Sequence, residues 1–479
     1  MLKIFFYLKK RMRFSSAGIT GGILIITIMS NIPLQPMTFN KPNPETRTAS
    51  SGAVFPSGLK ESKLPNGITY LVRPERGEGV VSVQVWVGAG STYEDKTNAG
   101  LSHFLEHLIF KGSSKFPGDE ISRLVETSGG VINAGTSKEY TVYYIDTVKD
   151  SLPIAVEILA DAMENAVFPP EEIEKERPVV LEEIKRSEDD PGSVLYDTLS
   201  KTLYTTSPYR NRIIGDEKVV AGVTRDEIIR YYKKYYVPSN MVVSLAGDFE
   251  KEDAEKLIEK FFGAIRPPEN SDVEGDAPSF LSVPRDYFKE KEPPRREKSS
   301  ATTKNVAFIY ASRANLAPDS LSGEQFSADI TAHILGGGSS SRLYRTLREE
   351  KRLVYGISAG YYAQKGDGIF EISMVVEPSK FTDAKSAVAE EIKRLAQDGP
   401  TDDELLRARE VIKTQWLLGL EKAHDQASIM GYWKLQDNLA ILENYIKNIS
   451  SVGKEDVKNF VSSYLMKNNH VWASVEPKK

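Results

Sequence analysis

Hydrophobic positions recur along this chain with two different periods, and the switching between them marks out its elements. Val80–Val87 (V-V-S-V-Q-V-W-V) alternates apolar with polar residues, the period of a half-buried strand. Residues 88–98 lose that pattern and read as loop. Leu101, Leu105, Leu108 and Ile109 then fall on one face of a helix that starts after Gly100. Residues 141–145 (T-V-Y-Y-I) predict a strand, and 152–167 a long amphipathic helix stopped by Pro169-Pro170. A second, acidic helical segment spans 171–186, with Pro178 placed to start or kink it. Residues 241–246 (M-V-V-S-L-A) predict a strand closed by Gly247-Asp248.

Residues 268–304 break the pattern. They are rich in Pro, Glu, Lys and Ser, and read as a linker. Then the order begins again: a strand at 306–311, a helix at 326–335, a strand at 368–375, an amphipathic helix at 382–397 and another helix at 401–416. Phe168-Pro169-Pro170-Glu171-Glu172 has its counterpart in Gly399-Pro400-Thr401-Asp402-Asp403, so the internal period is roughly 230 residues. The expectation is an α+β protein of two related domains, 61–267 and 305–477, each an antiparallel-rich sheet packed with helices. Two unrelated α+β domains are the alternative.

Length and charge narrow this further. A chain of 479 residues exceeds one ordinary core. Residues 1–37 hold five cations (Lys3, Lys9, Lys10, Arg11, Arg13) and no acid, followed by an apolar run at 17–29. That run suits a signal peptide and is short for a membrane span. Export to the periplasm or exterior with cleavage is expected, with an uncleaved anchor through 17–29 as the alternative. Residues 38–60, rich in Pro, Ser and Thr, read as a tether. The formal net charge of −5 includes those five cations, so the body is acidic and gives no support for nucleic-acid binding. There is no cysteine, which excludes disulfides, thiolate metal sites and a cysteine nucleophile.

Chemistry concentrates in one short stretch. The chain has five histidines, and two of them, His103 and His107, stand four apart in His103-Phe104-Leu105-Glu106-His107. On a helix such positions stack on one face and can grip one Zn²⁺. Glu106 shares that face and can take a proton from water. This is the inverse of the commoner His-Glu-x-x-His order. A hydrolytic zinc needs a third protein ligand. Segment 171–186 offers Glu171, Glu172, Glu174, Glu176, Glu182 and Glu183. Glu176 and Glu183, seven apart, share a face, but spacing alone does not choose among the six.

The stretch from His103 to Gly112 (H-F-L-E-H-L-I-F-K-G), with Val179-Val180-Leu181-Glu182-Glu183-Ile184 further on, resembles the pitrilysin family of zinc metallopeptidases, which includes insulin-degrading enzyme and mitochondrial processing peptidase. The resemblance runs from about Leu64 to the C-terminus. It includes Asn98-Ala99-Gly100, Asn133-Ala134 with Thr136, and Pro238-Ser239-Asn240. It implies the processing-peptidase fold and one Zn²⁺ per chain on His103, His107 and Glu183, with Glu182 the near alternative. It also implies Glu106 as general base, Glu176 as the supporting acid, and Arg348 and Tyr355 as the pair that closes the site and steadies an oxyanion. Asn133, Ala134 and Thr136 would bind an extended peptide along an edge strand. Gly336-Gly337-Gly338-Ser339 resembles the glycine-rich loop of the non-catalytic processing-peptidase subunit, with a helix cap and turn as the alternative reading.

The function so implied is zinc endopeptidase activity on peptides or unfolded segments, inside a chamber built from two halves. This chain supplies one half, so a homodimer or a heterodimer with a related subunit is expected. The rival is a catalytically silent binding or assembly subunit. A membrane-tethered binding module is a third reading.

Overall fold

The computed structural model describes residues 58–77, 79–267, 283–287, 299–301, 312–320, 322–467 and 470–477. Its first sheet contains β1 (Lys60–Lys63), β2 (Thr69–Pro74), β3 (Val80–Val87), β4 (Val131–Thr136), β5 (Thr141–Val148) and β6 (Met241–Gly247). Their spatial order is β1-β2-β6-β3-β5-β4, antiparallel throughout except for β2 beside β6. The helices of this part are α1 (Leu101–Leu108), α2 (Glu120–Thr127), α3 (Leu152–Asn165), α4 (Pro170–Asp189), α5 (Pro191–Leu203), α6 (Glu217–Gly222), α7 (Arg225–Tyr235) and α8 (Lys251–Phe261). Apart from α5, whose Leu195, Leu199 and Leu203 join a separate cluster with Val471, Ala473 and Val475, their apolar faces, above all Ala155, Val156, Ile158, Leu159, Ala162 and Met163 of α3, form one core with β3, β5 and β6. Each large side chain so buried contributes about 1.5–3 kcal/mol.

A short strand, β7 (Ser299–Ala301), precedes the second sheet. That sheet holds β8 (Ser312–Asp319), β9 (Val354–Tyr362), β10 (Asp367–Val376) and β11 (Val471–Ala473) in the order β11-β8-β10-β9, all antiparallel. β12 (Val475–Pro477) runs parallel to β7. The helices here are α9 (Glu324–Gly336), α10 (Phe381–Asp398), α11 (Asp402–Gly419), α12 (Ala423–Leu435), α13 (Ile441–Ser451) and α14 (Lys454–Phe460).

The repeated order is present in the topology. β4-β5-β3-β6 in the first sheet matches β9-β10-β8-β11 in the second, in order and in sense. Between them, β3-α1-α2-β4-β5-α3-α4 matches β8-α9-β9-β10-α10-α11, with a helical turn at Tyr344–Glu350 in the place of α2. The molecule is thus a pair of related α+β domains.

Three expectations change. β3 is buried on both faces from Val81 to Val87 rather than half-buried. Its polar face meets α12: the Gln84 Nε2 donates to Ser428 Oγ and to the His424 carbonyl, each at 3.0 Å. Trp86 is fully buried there, and Gly431 makes room for it, since a Cβ at 431 would lie 2.2 Å from Trp86 Nε1. Pro178 does not start its helix; it sits inside α4. Lys60, expected to end the tether, opens β1, and Ser299–Ala301, expected in the linker, forms β7. The strand expected at 306–311, the N-terminal segment at 1–37 and the tether up to residue 57 lie outside the described residues. No helix among the described residues is long and apolar enough to cross a membrane.

Candidate metal centre

The centre is built on α1, a helix of eight residues. Gly100 precedes it at φ +100°, a conformation that favours glycine, and its backbone packs on Gly215, where a Cβ would come within 2.2 Å of Gly100 Cα. The Glu94 carboxylate reaches the start of the helix: its Oε2 accepts the Gly100 N–H and its Oε1 the Ser102 N–H, each at 2.7 Å. Burial pushes the Glu94 carboxyl up to about 7, against those hydrogen bonds, which favour its charge. Ser102 Oγ also pairs with the Tyr231 hydroxyl of α7 at 2.7 Å.

His103 and His107 follow one another on the same face, with ring centroids 4.9 Å apart. Helix α4 packs on α1 and presents Glu183 to both. The Glu183 Oε2 lies 3.6 Å from His103 Nε2 and 3.8 Å from His107 Nε2. Such gaps are too long for hydrogen bonds. They suit three ligands sharing one ion, because bonds of about 2.1 Å at tetrahedral angles set ligand atoms about 3.4 Å apart. One donor atom from each residue lies within 4.8 Å of the others, the only such grouping found among the described residues. Two neutral imidazoles and a carboxylate are also the donor chemistry that zinc accepts in hydrolytic sites. Glu182 points the other way and pairs with Arg186 at 3.1 Å.

Glu176, two turns before Glu183, stands behind His107. Its Oε2 is 3.1 Å from His107 Nδ1 and its Oε1 2.6 Å from Lys111 Nζ. Burial opposes its charge, but the bonds from Lys111 and His107 outweigh burial and hold the carboxyl below its ordinary value. An ionised Glu176 accepts the Nδ1 proton of His107, which leaves the Nε2 lone pair facing Glu183. The position of Lys111, four residues after His107, is the signal in the sequence for this contact with Glu176.

Glu106 is half-buried on the same helix as the two histidines, and Thr136 Oγ1 donates to its Oε2 at 2.6 Å. Thr136 ends β4, the outermost strand of its sheet, which pairs with β5 along one edge. Asn133 and Ala134 lie in the same strand, with Asn133 Oδ1 accepting the Ala134 N–H at 2.9 Å. The general-base candidate and the expected peptide edge are therefore joined by one hydrogen bond.

Arg348 and Tyr355 are brought together with each other, in the second domain. With Glu349, Arg352 and Val354 they line an open cavity of about 350 Å³. The Tyr355 hydroxyl, on a side chain 51% exposed, donates to Glu377 at 2.8 Å. The Arg348 guanidinium lies 5.5 Å from the Tyr344 ring centroid. These contacts stay within the second domain and do not involve the imidazoles. The glycines 336–338 end α9: the Gly337 N–H bonds the His333 carbonyl at 3.0 Å, a helix cap and turn.

Comparison with known proteins gives concordant matches. The family model described as insulinase, peptidase family M16, matches residues 43–217, and the model described as the M16 peptidase inactive domain matches 222–412. The Bacillus subtilis protein named uncharacterized zinc protease YmxG is 28% identical over 422 residues, covering 88% of this chain and 98% of its own. A Mycobacterium leprae protein, also named an uncharacterized zinc protease, is 29% identical over 427 residues, covering 88% and 92%. Among solved structures, a protease from Helicobacter pylori superposes with a TM-score of 0.80 at 24% identity, covering 88% of this chain and 99% of that one. The periplasmic protease PqqL from Escherichia coli gives a TM-score of 0.72 at 18% identity, with 88% of this chain covering 48% of that one.

Proposed function

The chain belongs to the insulinase peptidase family M16, and from that premise we propose that it is a zinc-dependent endopeptidase acting on peptides or unfolded segments. The convergence of His103, His107 and Glu183 beside the carboxylate of Glu106 carries this reading. Zinc held by those three residues would polarise a carbonyl and bring the pKa of a water down toward about 7. Glu106 accepts the proton of the attacking water and returns it to the leaving amine. Thr136 holds the Glu106 carboxylate in place, and Glu176 fixes the His107 tautomer. The open edge of β4, at Asn133, Ala134 and Thr136, takes the peptide as an added strand, so main-chain hydrogen bonds carry the affinity and sequence selectivity is broad.

Arg348 and Tyr355 steady the oxyanion of a centre on a second chain. The working unit is then a dimer, of this chain or with a related subunit, whose halves contribute reciprocally. The match to just under half of PqqL supports this in fold and length. We divide the chain into a first domain at 60–267 and a second at 305–477 that also takes in β7 (Ser299–Ala301) through its pairing with β12, the linker lying between 267 and that strand. Residues 1–37 direct export to the periplasm or exterior, and 17–29 serve as signal core or anchor.

The test compares wild type with Glu106→Gln for zinc content and for cleavage of a peptide mixture. The expected result is equal zinc and a turnover lower by about 10²–10⁴-fold in the variant. Equal cleavage by both proteins refutes the mechanism. Zinc retained with no cleavage by either favours a silent subunit, a reading to which the inactive-domain match of the second half lends some weight.

A further inference from the structure

We propose that Glu94 is a positioning residue for the metal centre: its buried carboxylate ties down the first turn of α1 and so sets where His103 and His107 point. This rests on the zinc reading above.

Helix α1 is only eight residues long, and a helix of that length is not stable by its own hydrogen bonds. Its direction must be fixed from outside. Of the free N–H groups at its start, Gly100 and Ser102 both donate to Glu94, one to each carboxylate oxygen. Bonds to a charged acceptor are about twice as strong as neutral ones, and two of them fix orientation as well as position. His103 follows Ser102 directly, so any tilt of this first turn moves the His103 ring, and a rotation of the helix carries His107 with it. A lateral drift of about 1 Å is enough to spoil a three-ligand site.

Other helices of the chain are capped more simply. Thr224 and Thr401 bond the N3 amides of α7 and α11 from the N-cap position. α9, the counterpart of α1 in the second domain, starts after Gly323 with no side-chain cap. Glu94 instead reaches in from the preceding loop, six residues before Gly100, and is 5% exposed. Burying a carboxyl in this way is unfavourable, as its raised pKa reflects.

The test uses full-length wild type, Glu94→Gln and Glu94→Ala, stripped of metal. Zinc affinity is measured by competition with a chromophoric chelator, the melting of the metal-free proteins by circular dichroism, and kcat and KM at low and saturating zinc. Glu94→Ala should bind zinc about 10- to 100-fold more weakly. Glu94→Gln, which keeps one acceptor oxygen, should fall between it and wild type. Saturating zinc should restore much of kcat, with KM little changed. Variants that melt cooperatively yet bind zinc as wild type does overturn the proposal. If Glu94→Ala does not fold, the near-isosteric Glu94→Gln decides. Wild-type protein that takes up no zinc removes the underlying reading and this inference with it, an outcome visible in the wild-type arm alone.

Discussion

The two domains place the same helices on the same strand order, yet among the described residues only the first gathers a set of side chains that could hold a metal ion. In the first, α1 presents His103 and His107 to Glu183 of α4. In the second, α9 presents His333 to Gln415 of α11, with Nε2 and Oε1 3.4 Å apart. Glu183 and Gln415 each lie thirteen residues after the first residue of their helix. The copy thus offers one imidazole and an amide where the original offers two imidazoles and a carboxylate. Burial lowers the pKa of His333, and its Nδ1 is turned to the Asp329 carbonyl of its own helix. Nothing in that pair supplies the negative charge that a divalent ion requires. Exposure does not separate them: His333 of α9, like Glu106 and His107 of α1, is only partly buried. A common scaffold can hold two different sets of polar side chains, and the difference comes down to a few residues on two helices.

The sharpest way to break this comparison is Glu183→Gln, which gives the first domain the amide of the second. Zinc affinity should fall by more than about 100-fold, and turnover with it, as read by chelator competition and peptide cleavage. Retention of wild-type affinity would mean that the carboxylate is not what separates the two domains. The next test asks what the second domain contributes. Glu106→Gln and Tyr355→Phe should each lose about 10²-fold or more in kcat. Mixed in equal amounts and allowed to exchange subunits, they should recover roughly a quarter of wild-type turnover, because half of the dimers then hold one intact site. Failure to recover would place Tyr355 outside the partner's centre.

The smallest effect concerns stability. Each domain buries one carboxyl that burial pushes up to about 7, Glu94 in the first and Asp329 in the second. Such a group holds its proton more tightly when folded than when unfolded. Its contribution is full below the unfolded value near 4 and is lost as pH rises toward 7, by up to about 3 kcal/mol. Glu94→Gln and Asp329→Asn should each flatten the decline of the denaturant midpoint between pH 4.5 and 7. An unaltered slope in either variant would show that its carboxyl is not proton-linked to folding.

Much of the centre could be read before any coordinates. His103, Glu106 and His107 declare themselves because four residues of helix are enough to bring them to one face. Glu183 needed the family resemblance, since six acids crowd one segment; helical rotation then separates it from Glu182, which leans out to Arg186. Glu94 carried no readable signal. It is one acid in a loop, and its meaning depends on that loop folding back onto the helix it precedes. The polar face of β3 was legible as alternation but misleading as to burial, because the helix that covers it lies some 340 residues away in sequence.

By itself, then, the sequence determined what depends on neighbours within a turn or a strand: the periods of the elements, the paired imidazoles with their intervening acid, and the duplication. The tertiary structure alone decided which distant carboxylate faces those imidazoles, which one secures their helix, and which polar strand face is sealed from water. Local pattern is fixed by backbone geometry over a few residues. Long-range partners are fixed only when packing chooses the faces that meet, and that choice belongs to the whole core at once.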